Sequence, residues 1–180
     1  PRLVLAWRTP AASVNTLDAA LQSVLVDYLT GPTSPAYKSL VLDKQLVERI
    51  GSDFTEHRDP HLFSLTATLK NERHRDAVRL ALLKEVSNLA AGRIDAARVK
   101  AIQDHRRYGA LMELQTPRDV GIQLAWYAGI LGQPDAFQRH LQNLTKVTPG
   151  QLQDFTKKYL TANRLIVLGL TPKTAAGGTK

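Results

Sequence analysis

The sequence predicts an α+β fold, a largely antiparallel sheet covered by helices. Strand-like runs lie between Leu3 and Lys70 and return only at Arg164–Leu170. Between them, from His74 to Leu160, apolar residues recur at three- and four-residue steps. Strands segregated from helices in this way disfavour the regular alternation of a doubly wound parallel sheet.

Each element has a local reason. Leu3–Arg8 is a short apolar run suited to a buried strand. Leu17, Leu21, Val24, Leu25, Tyr28 and Leu29 then mark an amphipathic helix, with Asn15 or Thr16 as its expected cap and Gly31-Pro32 as its stop. Ser34-Pro35 opens a short helix, where the missing proline N–H costs nothing in the first turn. A strand is expected over about residues 46–56. A second follows in LFSLTATLK, where Phe63, Leu65, Ala67 and Leu69 alternate with Ser64, Thr66 and Thr68. That alternation fits a sheet with one face on the core.

Val78, Leu82, Val86 and Leu89 mark a helix closing at Gly92, and residues 95–115 form the next. Thr116-Pro117 opens a third, residues 135–146 form a fourth, and Thr148-Pro149-Gly150-Gln151 is a capping box opening a fifth that ends near Leu160. Arg164–Leu170 is apolar on both faces and is expected as a buried strand. Residues 1–170 are expected to form one domain. Residues 171–180, polar and small, are expected as a tail or linker.

Composition narrows the function classes. A chain of 180 residues, 43% apolar and 22% charged, suits a single globular domain able to bury roughly 70% of its unfolded surface. No apolar run approaches the ~20 residues of a membrane span. Pro1 is not a natural start, so the chain is read as processed or excised, with any targeting segment expected upstream. The absence of cysteine excludes disulfides, thiolate metal sites and a cysteine nucleophile. The net charge of +8 raises the question of nucleic acid. Its densest stretch, Arg93–Arg107, also carries Asp95 and Asp104, and aromatics are only 6% of the chain. No stacking platform is formed, and solvated helix faces account for the charge.

HRDPH at 57–61 has the outer spacing of an H-x-x-E-H zinc motif. That motif needs both histidines on one helix face and a glutamate between them. Here Pro60 stands where the glutamate would, and proline inside a helix costs about 3 kcal/mol or more. Asp59-Pro60 between two strand patterns is a turn signal, which places His57 and His61 on a surface loop. His74, His105 and His140 lie on separate helical segments without ligand spacing, so no metal role is expected for them. There is no G-x-S-x-G and no Gly-rich phosphate loop. No catalytic, cofactor-binding or metal-binding residue is expected in this chain.

Several segments nonetheless resemble one family in the right order over about residues 1–170. SPAYKSLVLDKQLVERIGSDF, HRDPHLFSLTATL, LQTPRDVGIQLAWY and LTKVTPGQLQDFTKKYLTANRLIVLGL are similar to successive stretches of the M16 zinc peptidases, which include pitrilysin, insulinase and the mitochondrial processing peptidase. The likeness is to the C-terminal-type, inactive domain. It implies homologous α+β domains paired around an unfolded peptide, with the zinc motif in the first domain of the pair. Zinc is then expected in a partner domain and not here. The expected partners are that zinc-bearing N-terminal-type domain, in the same or another chain, and a peptide substrate, with no nucleic acid and no membrane span.

In active members this type of domain supplies an arginine and, seven residues on, a tyrosine that hydrogen-bond the substrate and the reacting carbonyl. Aligning YKSL puts those roles at Val41 and Glu48. Valine has no donor and ionised glutamate only accepts. Losing one such donor costs about 10²–10³ in rate. The resemblance therefore implies a non-catalytic domain forming part of a peptide-enclosing chamber. The alternative is a scaffold subunit whose parent has no peptidase activity. By the same resemblance the compartment is expected to be periplasmic or secreted, with cytoplasmic as the alternative.

Overall fold

A computed structural model describes residues 1–171. The expectation of a tail at 171–180 falls, apart from Thr171, outside the described residues. The order is β1 (Arg2–Thr9), α1 (Asp18–Thr30), a short α2 (Pro35–Tyr37) running into a π-helical turn (Lys38–Asp43), β2 (Val47–Asp53) and β3 (His61–Leu69). Then follow α3 (Arg75–Ala90), α4 (Ala96–Met112), α5 (Pro117–Leu131), α6 (Ala136–Lys146), α7 (Pro149–Tyr159) and β4 (Leu165–Leu170). The strands lie in the order β2-β3-β1-β4, every neighbouring pair antiparallel. The α+β fold with an antiparallel sheet against helices is therefore the one present.

Alternation along β1 and β3 builds the core. Leu3, Leu5 and Trp7 pair with Ala67, Leu65 and Phe63 on the inward face, and all six are at most 1% exposed. Against them pack Val24, Leu25 and Tyr28 of α1, Val78, Leu82 and Leu89 of α3, and Leu152 and Phe155 of α7. The indole N–H of Trp7 donates to the Thr161 carbonyl at 3.1 Å, tying the central strand to the end of the helical layer.

Most of the expected caps are in place. Ser34 Oγ accepts from the Tyr37 N–H at 3.0 Å and Thr116 Oγ1 from the Asp119 N–H at 3.2 Å. Thr148 and Gln151 form the reciprocal capping box. Gly92, at φ 74°, holds the left-handed conformation that ends a helix and that L side chains resist.

Three expectations are corrected. Leu17, not Asn15 or Thr16, is the residue at the N-cap of α1, and it has no side-chain cap bond. β2 stops at Asp53, so residues 54–60 form an irregular connection. β4 is not buried, because it lies at the edge of the sheet. Ile166, Val167, Leu168 and Leu170 are 43–58% exposed. On its inward row Leu165 is partly buried against the core. There the Arg75 guanidinium lies so close over Gly169 that a Cβ would sit 2.6 Å from it. An apolar strand pattern reports burial only when neighbours cover both faces, and among the described residues nothing covers one edge and one face of β4.

Candidate functional site

Where β2 ends early, the 54–60 connection runs beside α1 and the ends of α4, α5 and α6. Between them lies a cleft of about 470 Å³, with Asp27, Glu56, Arg106, Glu113, Trp126, Tyr127 and His140 among its lining residues. Each side chain arrives for a local reason. α6 is amphipathic, with Phe137, His140, Leu141 and Leu144 at helical spacing along its inner stripe, so His140 occupies an apolar position. α5 turns Tyr127 inward, where its ring meets Phe137 edge-on and His140 obliquely, both at 5.3 Å. α4 brings Arg106, whose Nε donates to Asp27 Oδ2 at 2.8 Å. Gln103, one turn earlier and buried, donates to the Leu144 and Val147 carbonyls at 2.7 and 2.8 Å and pins the end of α6.

The centre of the cleft is Glu56. It accepts from the Tyr127 hydroxyl at 3.5 Å and lies 3.9 Å from His140 Nε2. Burial lowers the pKa of His140, the charge of Arg106 lowers it further, and Glu56 only partly opposes them. At neutral pH the contact is therefore a carboxylate beside a neutral imidazole and not an ion pair. Tyr127 is pushed above the ordinary phenol range, first by burial and then by the charge of Glu56. Its hydroxyl stays protonated and can donate.

A pH dependence follows. His140 titrates below the ordinary histidine value of about 6.5, and the unfolded chain then binds more protons than the fold between the two values. Stability should fall as pH is lowered through about 6.5 towards the folded pKa, and His140→Gln should remove that part of the fall. Imidazole NMR titration combined with urea melts at pH 7.5 and 5.5 checks this. A His140 midpoint above 6.5 would contradict it.

The residues singled out in the sequence lie elsewhere. His57 and His61 come together, ring centres 3.7 Å apart, but on the connection and its flank, with His61 exposed. His74 Nδ1 lies 3.1 Å from the Leu46 carbonyl, and His105 is exposed on the cleft wall. Val41 packs half-buried against the core in the π-helical turn. Glu48 is exposed where the β2–β3 register shifts. Neither lines the cleft. Among the described residues no group of three or more His, Cys, Asp or Glu side chains could hold a metal ion, so zinc does not fit this set of residues. The sequence marks neither Glu56 nor Tyr127, and it gives His140 no metal role. The one available signal was a titratable residue in an apolar stripe.

An antiparallel sheet with helices packed on its inward face defines the class, an α+β domain. Residues 1–105 match the family described as the peptidase M16 inactive domain, and the chain belongs to that family. No curated protein matches the sequence. Among solved structures, the chain is similar to a protease from Helicobacter pylori, with TM-score 0.83 and 18% identity over 95% of this chain and 41% of that one. It is also similar to an inactive peptidase domain from Bordetella parapertussis, with TM-score 0.80 and 14% identity over 98% and 96%. A third likeness is to a chain of complex III2 from Candida albicans, with TM-score 0.73 and 16% identity over 93% and 42%. At these identities the likeness is one of fold. The chain spans about two fifths of the Helicobacter protein and nearly all of the Bordetella domain.

Proposed function

We propose that this domain forms part of the wall of a peptide-enclosing chamber and packs against a zinc-bearing M16 domain that lies outside these 180 residues. The observation that carries this reading is α5. It has 15 residues, none of them buried, although most are apolar. With the end of α4 it exposes Tyr108, Met112, Ile122, Leu124 and Trp126, each 42–68% accessible. A helix hairpin that shows this much apolar surface marks an interaction face. A zinc-bearing domain is the occupant, because the family describes this half as inactive and the Helicobacter relative is more than twice as long. Zinc would then serve the partner's chemistry, and this chain would supply enclosure.

Co-expression with the zinc-bearing domain of the parent protein, or of a companion chain, tests the reading. The expected result is a stable complex that cleaves a fluorogenic peptide and protects α5 amides from exchange, while this chain alone neither cuts nor binds zinc stoichiometrically. One tight zinc site on this chain alone, or an α5 as open in the pair as in isolation, would overturn it. The fold likeness to a chain of complex III2, together with Val41 and Glu48 in place of donors, favours a second reading, a scaffold subunit. A complex that protects α5 but never cleaves peptide selects the scaffold. A periplasmic or secreted location belongs to the first reading and is tested by fractionation.

A further inference from the structure

We propose that the cleft at Glu56 is a binding site for one organic cation, a guanidinium or an ammonium, seated between the Glu56 carboxylate and the rings of Tyr127 and Trp126. The inference stands on the cleft alone and does not need the chamber.

The strongest indication is a carboxylate with few protein partners. An ionised carboxylate offers about four acceptor sites, so one with few protein partners keeps sites for a ligand. The Glu56 side chain is 15% exposed, and among the described residues its one hydrogen bond is the long contact from Tyr127 at 3.5 Å. His140, independently, is 9% exposed at the side chain, faces the same space, and has no hydrogen-bond partner among the described residues. Its Nε2 is 3.9 Å from Glu56 Oε1, too far for a direct hydrogen bond. A ligand N–H group placed there would donate to the carboxylate, and a neutral imidazole nitrogen would accept from it.

Charge points the same way. The whole chain carries +8, but the charged residues of this cleft are Asp27, Glu56, Glu113 and Arg106. Arg106 is taken up by Asp27, so Glu56 and Glu113 leave the cleft net acidic on a basic protein. Among the described residues Glu113 accepts only from a neutral donor, Gln123 Nε2 at 3.2 Å. The aromatic walls add cation–π attraction, which is stronger at a partly desolvated site. A volume of about 470 Å³ accommodates a side chain or a small amine and is modest for anything larger. The cation could belong to an arginine or lysine side chain of a peptide or to a free amine, and both present the same head group.

The test uses the fluorescence of Trp126, which lines the cleft, and the ring signals of His140 in the 180-residue chain. Three probes are titrated: agmatine, an end-blocked Ala-Arg-Ala peptide, and the same peptide with neutral citrulline in place of arginine. Saturable changes are expected with agmatine and the arginine peptide and not with citrulline. Trp126→Phe should abolish the fluorescence change, assigning it to the cleft and not to buried Trp7. Glu56→Gln should weaken binding about tenfold or more, the loss expected when a charge-assisted hydrogen bond is removed. Tighter binding of the peptide than of agmatine identifies the ligand as a side chain on a chain, and the reverse identifies a free amine. The proposal is overturned if neither cation shifts either signal at millimolar concentration, or if citrulline binds as well as arginine. That last comparison is made on the unmodified protein, so it decides the matter even if Glu56→Gln does not fold.

Discussion

Trp7→Ala lowers the stability of the domain by about 3–5 kcal/mol, the usual cost of removing a large aromatic from a core that cannot collapse around the gap. Trp7 lies on one of the two inner strands, paired with Phe63 on one side and Leu165 on the other, and is 1% exposed. Its neighbours are strands locked into a hydrogen-bonded register, so they close over the void only in part. The substitution also removes the N–H that the Thr161 carbonyl accepts from, at the junction between α7 and β4. Against a typical total of 5–15 kcal/mol, this leaves the variant marginal at best. Urea melts followed by far-UV circular dichroism measure the effect. Trp7→Phe should retain more stability than Trp7→Ala, because it keeps a ring in the gap and loses mainly the donor. A loss below about 1 kcal/mol for Trp7→Ala would contradict the packing described.

Gln103→Leu, by the same measurement, costs about 2–4 kcal/mol although it adds apolar surface to a buried position. One side-chain amide serves the carbonyls of both Leu144 and Val147, which end α6 and its cap and have no following helical turn to bond to. Residues 144 and 147 are 2% and 4% exposed, so water does not readily replace the lost donor. Each stranded acceptor costs about 1–3 kcal/mol. Gln103→Glu should do no better, because an ionised carboxylate of nearly the same shape has no N–H to give. A glutamate variant as stable as the parent would show that these two bonds do not hold α6. The end of α6 carries Leu144 into the cleft, so a loosened helix should also broaden the His140 ring signals.

Much of the fold was legible because local rules decided it. Alternation in LFSLTATLK, the proline and threonine openings at Thr116 and Thr148, and the glycine stop at Gly92 each act within a few residues. β4 was misjudged for a physical reason: a strand's own residues do not say what lies across its open edge. The cleft was less legible still. Glu56 sits in an irregular connection with no period, and it is separated from Tyr127 and His140 by 71 and 84 positions, spans that only tertiary packing joins. His140 showed a trace of its place in the cleft, as a titratable ring inside the stripe Phe137–Leu144. The family itself was readable from short segments in order, and its model matches residues 1–105.

The two ends of the sheet are unequal. β2 has an irregular register between Val47 and Arg49 and shows charged Glu48 and Arg49 to solvent, features that blunt strand-to-strand pairing. β4 has neither safeguard: six residues, LIVLGL, with no strand paired to its outer edge among the described residues. Among the described residues, strand addition between copies would therefore use the β4 side. Two copies joined antiparallel through that side would use up each other's open backbone, so growth would stop at a twofold-symmetric pair and not run on into a filament.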